Sequence, residues 1–253
     1  MQVKVIGAQG GVIRGAHATS LLIDESLLID AGSVASGLDI KDQLAIDHIL
    51  ISHAHLDHIK DLAFICDNCF GLKENPFEVF CHPQVKKSIK DHLFNDVIWP
   101  DFSILPNSTK PTIRFNEINE GRVLELGDYR VHAIHVKHPG HAMGFIVEKD
   151  DCAIVFTQDT GPTEAIWKKA KEFKNLKAIF TEVSFPNSLE SVANLSDHHT
   201  PSTMKEELKK MPDVPVYLSH LKPNYKDVLI SEINALNDSR VHILYMDDVR
   251  FDF

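Results

Sequence analysis

Five short apolar runs in this chain each end in a histidine, aspartate or glutamate, and that recurrence constrains the fold more than any other feature. HILIS leads into His53, YRVHAIHVK into His138, AIVFTQ into Asp159, AIFT into Glu182 and PVYLS into His220. Runs rich in β-branched and aromatic residues, bounded by turn residues, predict strands. Sheet proteins collect ligands and catalytic groups at strand ends, where a rigid scaffold presents side chains on short loops. One such ending is noise, but five predict a site.

The stretches between the runs predict helices opening after His58 and near Pro83, over 162–173, after Pro201 and over 225–237. Each has a proline or an Asp, Ser or Thr near its start, where caps and first-turn prolines belong. Strands dominate early and alternate with helices later, which predicts a layered α/β (α+β) fold. No Pro-rich linker, low-complexity segment or short repeat divides the sequence, so residues 1–253 are expected to form a single domain.

Composition narrows the partners. Acidic residues outnumber basic ones by 36 to 26, for a formal net charge of −10. A field of that sign repels a long phosphate backbone and disfavours extended nucleic acid as a partner. It leaves room for a small anion, because a metal site brings its own positive charge. No apolar run is long enough to span a membrane and the N-terminus lacks a secretory pattern. Four cysteines at 66, 69, 81 and 152 make no disulfide framework in a chain of this length. A cytoplasmic location is therefore expected. Fifteen histidines point instead toward metal chemistry.

The densest cluster is His53-Ala54-His55-Leu56-Asp57-His58, four candidate ligands in six residues. In an extended segment side chains alternate, so His53 and His55 share a side. Ile59, Leu62, Ala63 and Cys66 recur at helical spacing, so Asp57 and His58 open a helix whose N-terminus favours the carboxylate. A strand–helix turn can aim neighbours at two centres: His53 and His55 at one ion, Asp57 and His58 at a second. Imidazole with carboxylate suits zinc, and also accepts manganese or iron.

His-x-His-x-Asp-His closing a strand resembles the signature of the metallo-β-lactamase superfamily. His138 in HPGHAMGF, Asp159 in FTQDTGP and His220 in LSHLKP resemble that family's later ligands, in its order. The resemblance covers about residues 1–225 and implies a four-layered αββα sandwich with two divalent ions. It implies that His53, His55 and His138 hold one ion, Asp57, His58 and His220 the other, and that Asp159 bridges them. Within the superfamily the chain is most similar to the class II 3′,5′-cyclic-nucleotide phosphodiesterases, on HAHLDHIKDLAFICDN, TEVSFPN, DHHTP and SHLKP. Lys60-Asp61-Leu62-Ala63 departs from that subfamily by carrying a charged pair where smaller residues are usual.

The implied reaction is hydrolysis of a cyclic nucleotide to a nucleoside 5′-monophosphate by water activated between the ions, with Asp57, Glu182 and His198 as catalytic residues. Glu182 and His198 resemble a pair that prepares a proton donor for the leaving oxygen, and His199 is the alternative imidazole. Ribonuclease Z-like processing of tRNA 3′ ends, thioester or lactone hydrolysis, and a scaffold without turnover are the competing readings. The expected partner is a small phosphodiester, with no membrane. A homodimer is compatible with the sequence but not fixed by it.

Three further features have plainer readings. Cys66 and Cys69 lie on the apolar helix face and are expected in the core. Gly7-Ala8-Gln9-Gly10-Gly11 is an incomplete phosphate-loop pattern and reads as a tight turn. His141 competes with His138, and the spacing to Gly144 favours His138.

Overall fold

The structure is a computed structural model describing residues 1–253. It contains two seven-stranded sheets, and the chain divides into two compact units, each built on one of them. The first unit comprises residues 1–7, 17–119 and 247–252, and the second residues 8–16, 120–246 and 253.

The sheet of the first unit contains β1 (Gln2–Gly7), β2 (Ser20–Ile23), β3 (Leu27–Ile29), β4 (His48–Leu50), β5 (Phe77–Cys81), β8 (Ile113–Glu117) and β16 (Val249–Asp252), ordered β16-β1-β2-β3-β4-β5-β8. A two-stranded ribbon, β6 (Pro106–Asn107) with β7 (Lys110–Pro111), precedes β8. Pairing is antiparallel from β16 to β3 and parallel from β3 to β8. The parallel connections carry α1 (Val34–Gly37), α2 (Ile40–Ala45), α3 (Leu56–Cys69) and α4 (Pro83–His92). Leu62, Ile65, Cys66, Val85 and Ile89 from these helices pack on alternate strand residues Leu28, Ile49, Phe77 and Val79. The intervening residues Leu21, Ile23, Leu27, Ile29 and Leu50 are buried as well. Strands buried on both faces lose the alternating pattern, which is why SLLI and LLI read as unbroken apolar runs.

The second unit repeats this plan. Its strands are β9 (Val123–Leu126), β10 (Tyr129–His135), β11 (Met143–Lys149), β12 (Cys152–Phe156), β13 (Leu176–Glu182), β14 (Val216–Ser219) and β15 (Val241–Ile243). They are antiparallel from β9 to β12 and parallel from β12 to β15. Helices α5 (Ala165–Ala170), α6 (Glu190–Leu195), α7 (Pro201–Leu208) and α8 (Lys226–Asn234) lie in the parallel connections. Trp167, Met204, Leu208, Leu229 and Ile233 pack on Ile134, Val155, Ile179 and Val216. Two mixed sheets with helices are the architecture that the sequence resemblance implies.

Capping explains the helix starts. His82 accepts from the Gln84 N–H with Pro83 in the first turn, and Thr200 and Thr203 form a reciprocal capping box with Pro201 in the first turn. The expected helix over 162–173 is shorter, Ala165–Ala170, because residues 160–164 instead follow the end of β12 as a loop. Helices α1, α2 and α6 and strands β6, β7, β8 and β16 are additions to the sequence reading. All are short or edge elements with weak periodicity. No helix is long and apolar enough to cross a membrane.

Candidate functional site

Within the first unit the cluster is built on a buried carboxylate. β4 ends at Leu50, the chain stays extended through His53, and α3 begins at Leu56, placing Asp57 in its first turn. The His53 ring lies 4.5 Å from His55 and 4.2 Å from His58, centroid to centroid. His53 and His58 are fully buried and His55 is exposed. Asp30, at the end of β3 and also fully buried, organises them. Its Oδ1 accepts from the Ser52 N–H at 2.8 Å, and its Oδ2 accepts from the Ser52 hydroxyl at 2.8 Å and from His58 Nδ1 at 2.7 Å. With its proton committed to Asp30, Ser52 Oγ accepts from His53 Nδ1 at 2.9 Å.

The loop carrying Asp30 is stitched to α3. Ala31 N–H donates to His58 C=O at 2.7 Å, Asp61 N–H donates to Ala31 C=O at 2.8 Å, and Asp61 Oδ2 accepts from Ala35 N–H at 2.7 Å. A Cβ on Gly32 would stand 2.1 Å from the Asp57 carbonyl oxygen. The Lys60–Asp61 pair that departs from the phosphodiesterase pattern thus has a structural role, since Asp61 is buried and Lys60 Nζ rests on it at 2.7 Å.

In the second unit the candidates gather at one edge of the sheet. β10 runs parallel to β12, β13 and β14, so the carboxyl ends of all four share that edge. His138 follows β10, Asp159 follows β12, Glu182 ends β13, and His220 follows β14; His198 precedes α7. His220 Nε2 lies 3.3 Å from Asp159 Oδ1, and His138 Nε2 lies 3.9 Å from Asp159 Oδ2. One donor atom from each of Asp159, His198 and His220 falls within 4.8 Å of the others. His138 Nδ1 donates to the Asp197 carbonyl at 3.0 Å. The competing His141 is exposed, with φ of 61°, in the turn before β11.

Ser184 and Glu182 do for this unit what Ser52 and Asp30 do for the other. Ser184 Oγ donates to Glu182 Oε2 at 2.8 Å and accepts from His220 Nδ1 at 2.8 Å. Glu182 Oε1 accepts from His198 Nδ1 at 2.7 Å. Burial works to raise the Glu182 carboxyl, but the charge of His198 and the hydrogen bond to it win and hold it low. Burial likewise works to lower His198, yet the Glu182 charge leaves its pKa raised. Each favours the charged form of the other across the 2.7 Å contact. His199 is different: burial lowers its pKa, and its Nδ1 turns to Thr203 Oγ1 at 3.0 Å. Of the two neighbouring imidazoles, only His198 makes a side-chain hydrogen bond to Glu182.

Sequence reasoning missed Asp30, Ser52, Ser184 and Gly10. Asp30 was legible, since SLLID obeys the same rule of a strand running into an acid. The two serines carry no such signal. Gly10, assigned to a tight turn, passes so close to the site that a Cβ would lie 2.5 Å from the His220 carbonyl oxygen and 2.8 Å from its Nδ1. His220 N–H donates to Ala8 C=O at 2.6 Å, fastening the glycine loop to the end of β14. Asp30, Gln158 and His220 all adopt left-handed backbone, with φ of 56°, 54° and 60°. Three such residues at strand ends mark places where surrounding contacts override local preference.

These donor sets fit a divalent cation. His53, His58, His138 and His220 each make a hydrogen bond at Nδ1 to a protein acceptor, so Nε2 is the atom each would offer to a metal. Such support fixes the tautomer and orientation of a metal-binding imidazole and raises its basicity. Carboxylates at 57 and 159 add hard donors to the imidazoles, a combination suited to borderline divalent ions.

Residues 27–221 match the Beta-lactamase superfamily domain, and the chain belongs to that family. A protein named probable 3′,5′-cyclic-nucleotide phosphodiesterase from Yersinia pestis is 24% identical over 97% of this chain and 87% of its own. A ribonuclease Z from Haloarcula marismortui is 25% identical over 60% of this chain and 48% of its own. Among solved structures, unliganded yeast PDE1 superposes with a TM-score of 0.79 at 17% identity, covering 97% of each chain. The short form of human tRNase Z gives 0.70 at 16% identity, covering 100% of this chain and 99% of that one. At these identities the structural likeness establishes the fold.

Proposed function

We propose that this metal-dependent hydrolase of the β-lactamase superfamily is a phosphodiesterase that converts 3′,5′-cyclic nucleotides into nucleoside 5′-monophosphates. The likeness to a cyclic-nucleotide phosphodiesterase over 97% of the chain supports the substrate, and the Glu182–His198 ion pair supports the reaction class. The pair is the observation that carries the reading. Hydrolysis of a diester must protonate a departing alkoxide, and a carboxylate-held imidazole is built to do so.

In this reading His53, His55 and His138 would hold one ion, Asp57, His58 and His220 would hold a second, and Asp159 would contribute to both. Divalent ions held there would supply Lewis-acid charge to a phosphoryl group and lower the pKa of water. Asp57, in the first turn of α3, is steadied by the helix N-terminus. Glu182 keeps the His198 proton on Nδ1 and favours the charged ring, so that Nε2 can deliver a proton to the ribose oxygen. Ser184 orients His220 and Glu182 through one hydroxyl. The formal charge of −10 favours a small anion drawn to a local metal charge over a long polyanion.

Ribonuclease Z-like cleavage is the second reading, favoured by the ribonuclease Z relatives and the tRNase Z fold likeness. Metal content by mass spectrometry, with cyclic AMP hydrolysis by the wild type and Asp159→Ala, tests the first. Two ions per chain and turnover that collapses in the variant are expected. Two ions with no cyclic AMP turnover, but cleavage of a tRNA precursor, would replace it with the second reading.

A further inference from the structure

The reaction proposed above leaves one charged group near His198 without a role. Lys222 lies two residues beyond His220, and its N–H reaches the Ser184 carbonyl at 3.4 Å. Its ammonium sits 5.9 Å from the centre of the Phe185 ring, and Phe185 in turn meets the His198 ring in a T-shaped contact at 5.7 Å. Lysines in this protein commonly sit on carboxylates, as Lys60 does on Asp61 and Lys210 on Glu207. Lys222 has no such partner within ion-pair distance. An aromatic face positions a cation without neutralising it, so the charge remains available to an anion. The Lys222 charge is also felt at His198, where it opposes the charges of Glu182 and Asp159.

We propose that Lys222, seated on Phe185, is the specificity-determining cation that selects anionic phosphodiesters over neutral esters, thioesters and lactones. This rests on the phosphodiesterase reading. The formal net charge of −10 repels an incoming anion, and a neutral ester meets no such repulsion. A fixed positive charge beside the proton donor offsets the repulsion on the leaving-group side. It does nothing for a neutral substrate. Phe185 helps hold the Lys222 ammonium in place, so less side-chain freedom is lost when the anion arrives.

The test compares metal-loaded wild type, Lys222→Gln and Lys222→Arg on bis(4-nitrophenyl) phosphate and 4-nitrophenyl acetate, with calorimetric binding of adenosine 5′-monophosphate alongside. For Lys222→Gln, kcat/KM on the diester should fall about fivefold more than on the acetate, mainly through KM, as expected for one partly hydrated charge interaction. Lys222→Arg should recover most of the loss, and raising the salt should shrink the wild-type advantage. Equal losses on both substrates, or none, would overturn the role of Lys222 and leave the phosphodiesterase reading intact. If the wild type hydrolyses no diester yet binds the monophosphate several-fold more tightly than Lys222→Gln, the anion site stands and the phosphodiesterase reading fails. Wild type that neither binds nor cleaves would overturn both.

Discussion

Replacing Asp30 with asparagine probes the first unit's cluster at its hub, with little disturbance of shape. Asp30 has φ of 56°, a conformation that asparagine tolerates and alanine does not, so Asp30→Asn separates chemistry from backbone strain. Its Oδ1 still accepts from Ser52 N–H, but an NH₂ group replaces the oxygen that now receives His58 Nδ1 and the Ser52 hydroxyl. The hydroxyl can rotate. The His58 N–H cannot, so the ring must move its proton to Nε2, the nitrogen that would face a metal. Hydrogen bonds to a charged group contribute about 1.5–3 kcal/mol each, and relief of a buried charge offsets part of that, leaving a net loss of about 2 kcal/mol. For a chain of this size that lowers Tm by about 4–8 °C. Metal affinity should fall further, about 10–100-fold, as when the support of a ligating imidazole is removed. Calorimetry on the metal-free proteins gives the first quantity and titration against a competing chelator the second. Affinity within twofold of wild type would show that His58 is not held for metal by Asp30, and the assignment of Nε2 would fail with it.

Gly10→Ala forces a methyl to within 2.5 Å of the His220 carbonyl oxygen, which is backbone and cannot swing aside. It should lower activity on the substrate proposed above at least tenfold with near-normal secondary structure by circular dichroism, and unaltered kinetics would refute the close approach. Glu207→Ala strands the Trp167 Nε1–H, which now donates to Glu207 Oε2 at 2.6 Å in the core of the second unit. The expected cost is about 3 kcal/mol, seen as a Tm lower by about 6–12 °C, with metal content unchanged. Burial pushes the Cys69 thiol up to about 11 and Cys81 up to about 12, with Cys66 also well above its usual range. All three should resist iodoacetamide at pH 8 in the native protein and react in guanidinium. Because the folded values are raised, the stability they contribute is present below pH 9 and is lost as pH rises toward 12; constant stability across that window would contradict their burial.

What was legible in the sequence was whatever rests on local pattern. The ligand-like residues at 53, 138, 159 and 220 announce themselves because an apolar run halts at a polar side chain. The turns at 24–26 and 127–128 join neighbouring strands, but the order of each sheet rests on pairings distant in the chain, as of β1 with β16. What stayed hidden are contacts between residues distant in the chain. Ser184 joins Glu182 to His220 across 36 positions, and nothing in TEVSFPN says that this serine will do so. Asp61 looked anomalous because its partner, the Ala35 N–H, lies 26 residues away.

The two units share more than a sheet layout. In each, an antiparallel meander gives way to parallel strands, and the strand at the changeover ends in an aspartate: β3 in Asp30, β12 in the Asp159 loop. The next strand leads to a serine whose hydroxyl bridges a buried carboxylate and an imidazole: Ser52 between Asp30 and His53, Ser184 between Glu182 and His220. The parallel strands after the changeover bring their carboxyl ends to one edge of each sheet. Polar residues at that edge can be buried only if they satisfy one another, and a carboxylate–Ser–His chain does so. The same geometric problem, met twice in one chain, has been met with the same kind of hydrogen-bonded chain. That is why one of the four missed supporting residues, Asp30, could have been found by carrying the strand-end rule one strand further.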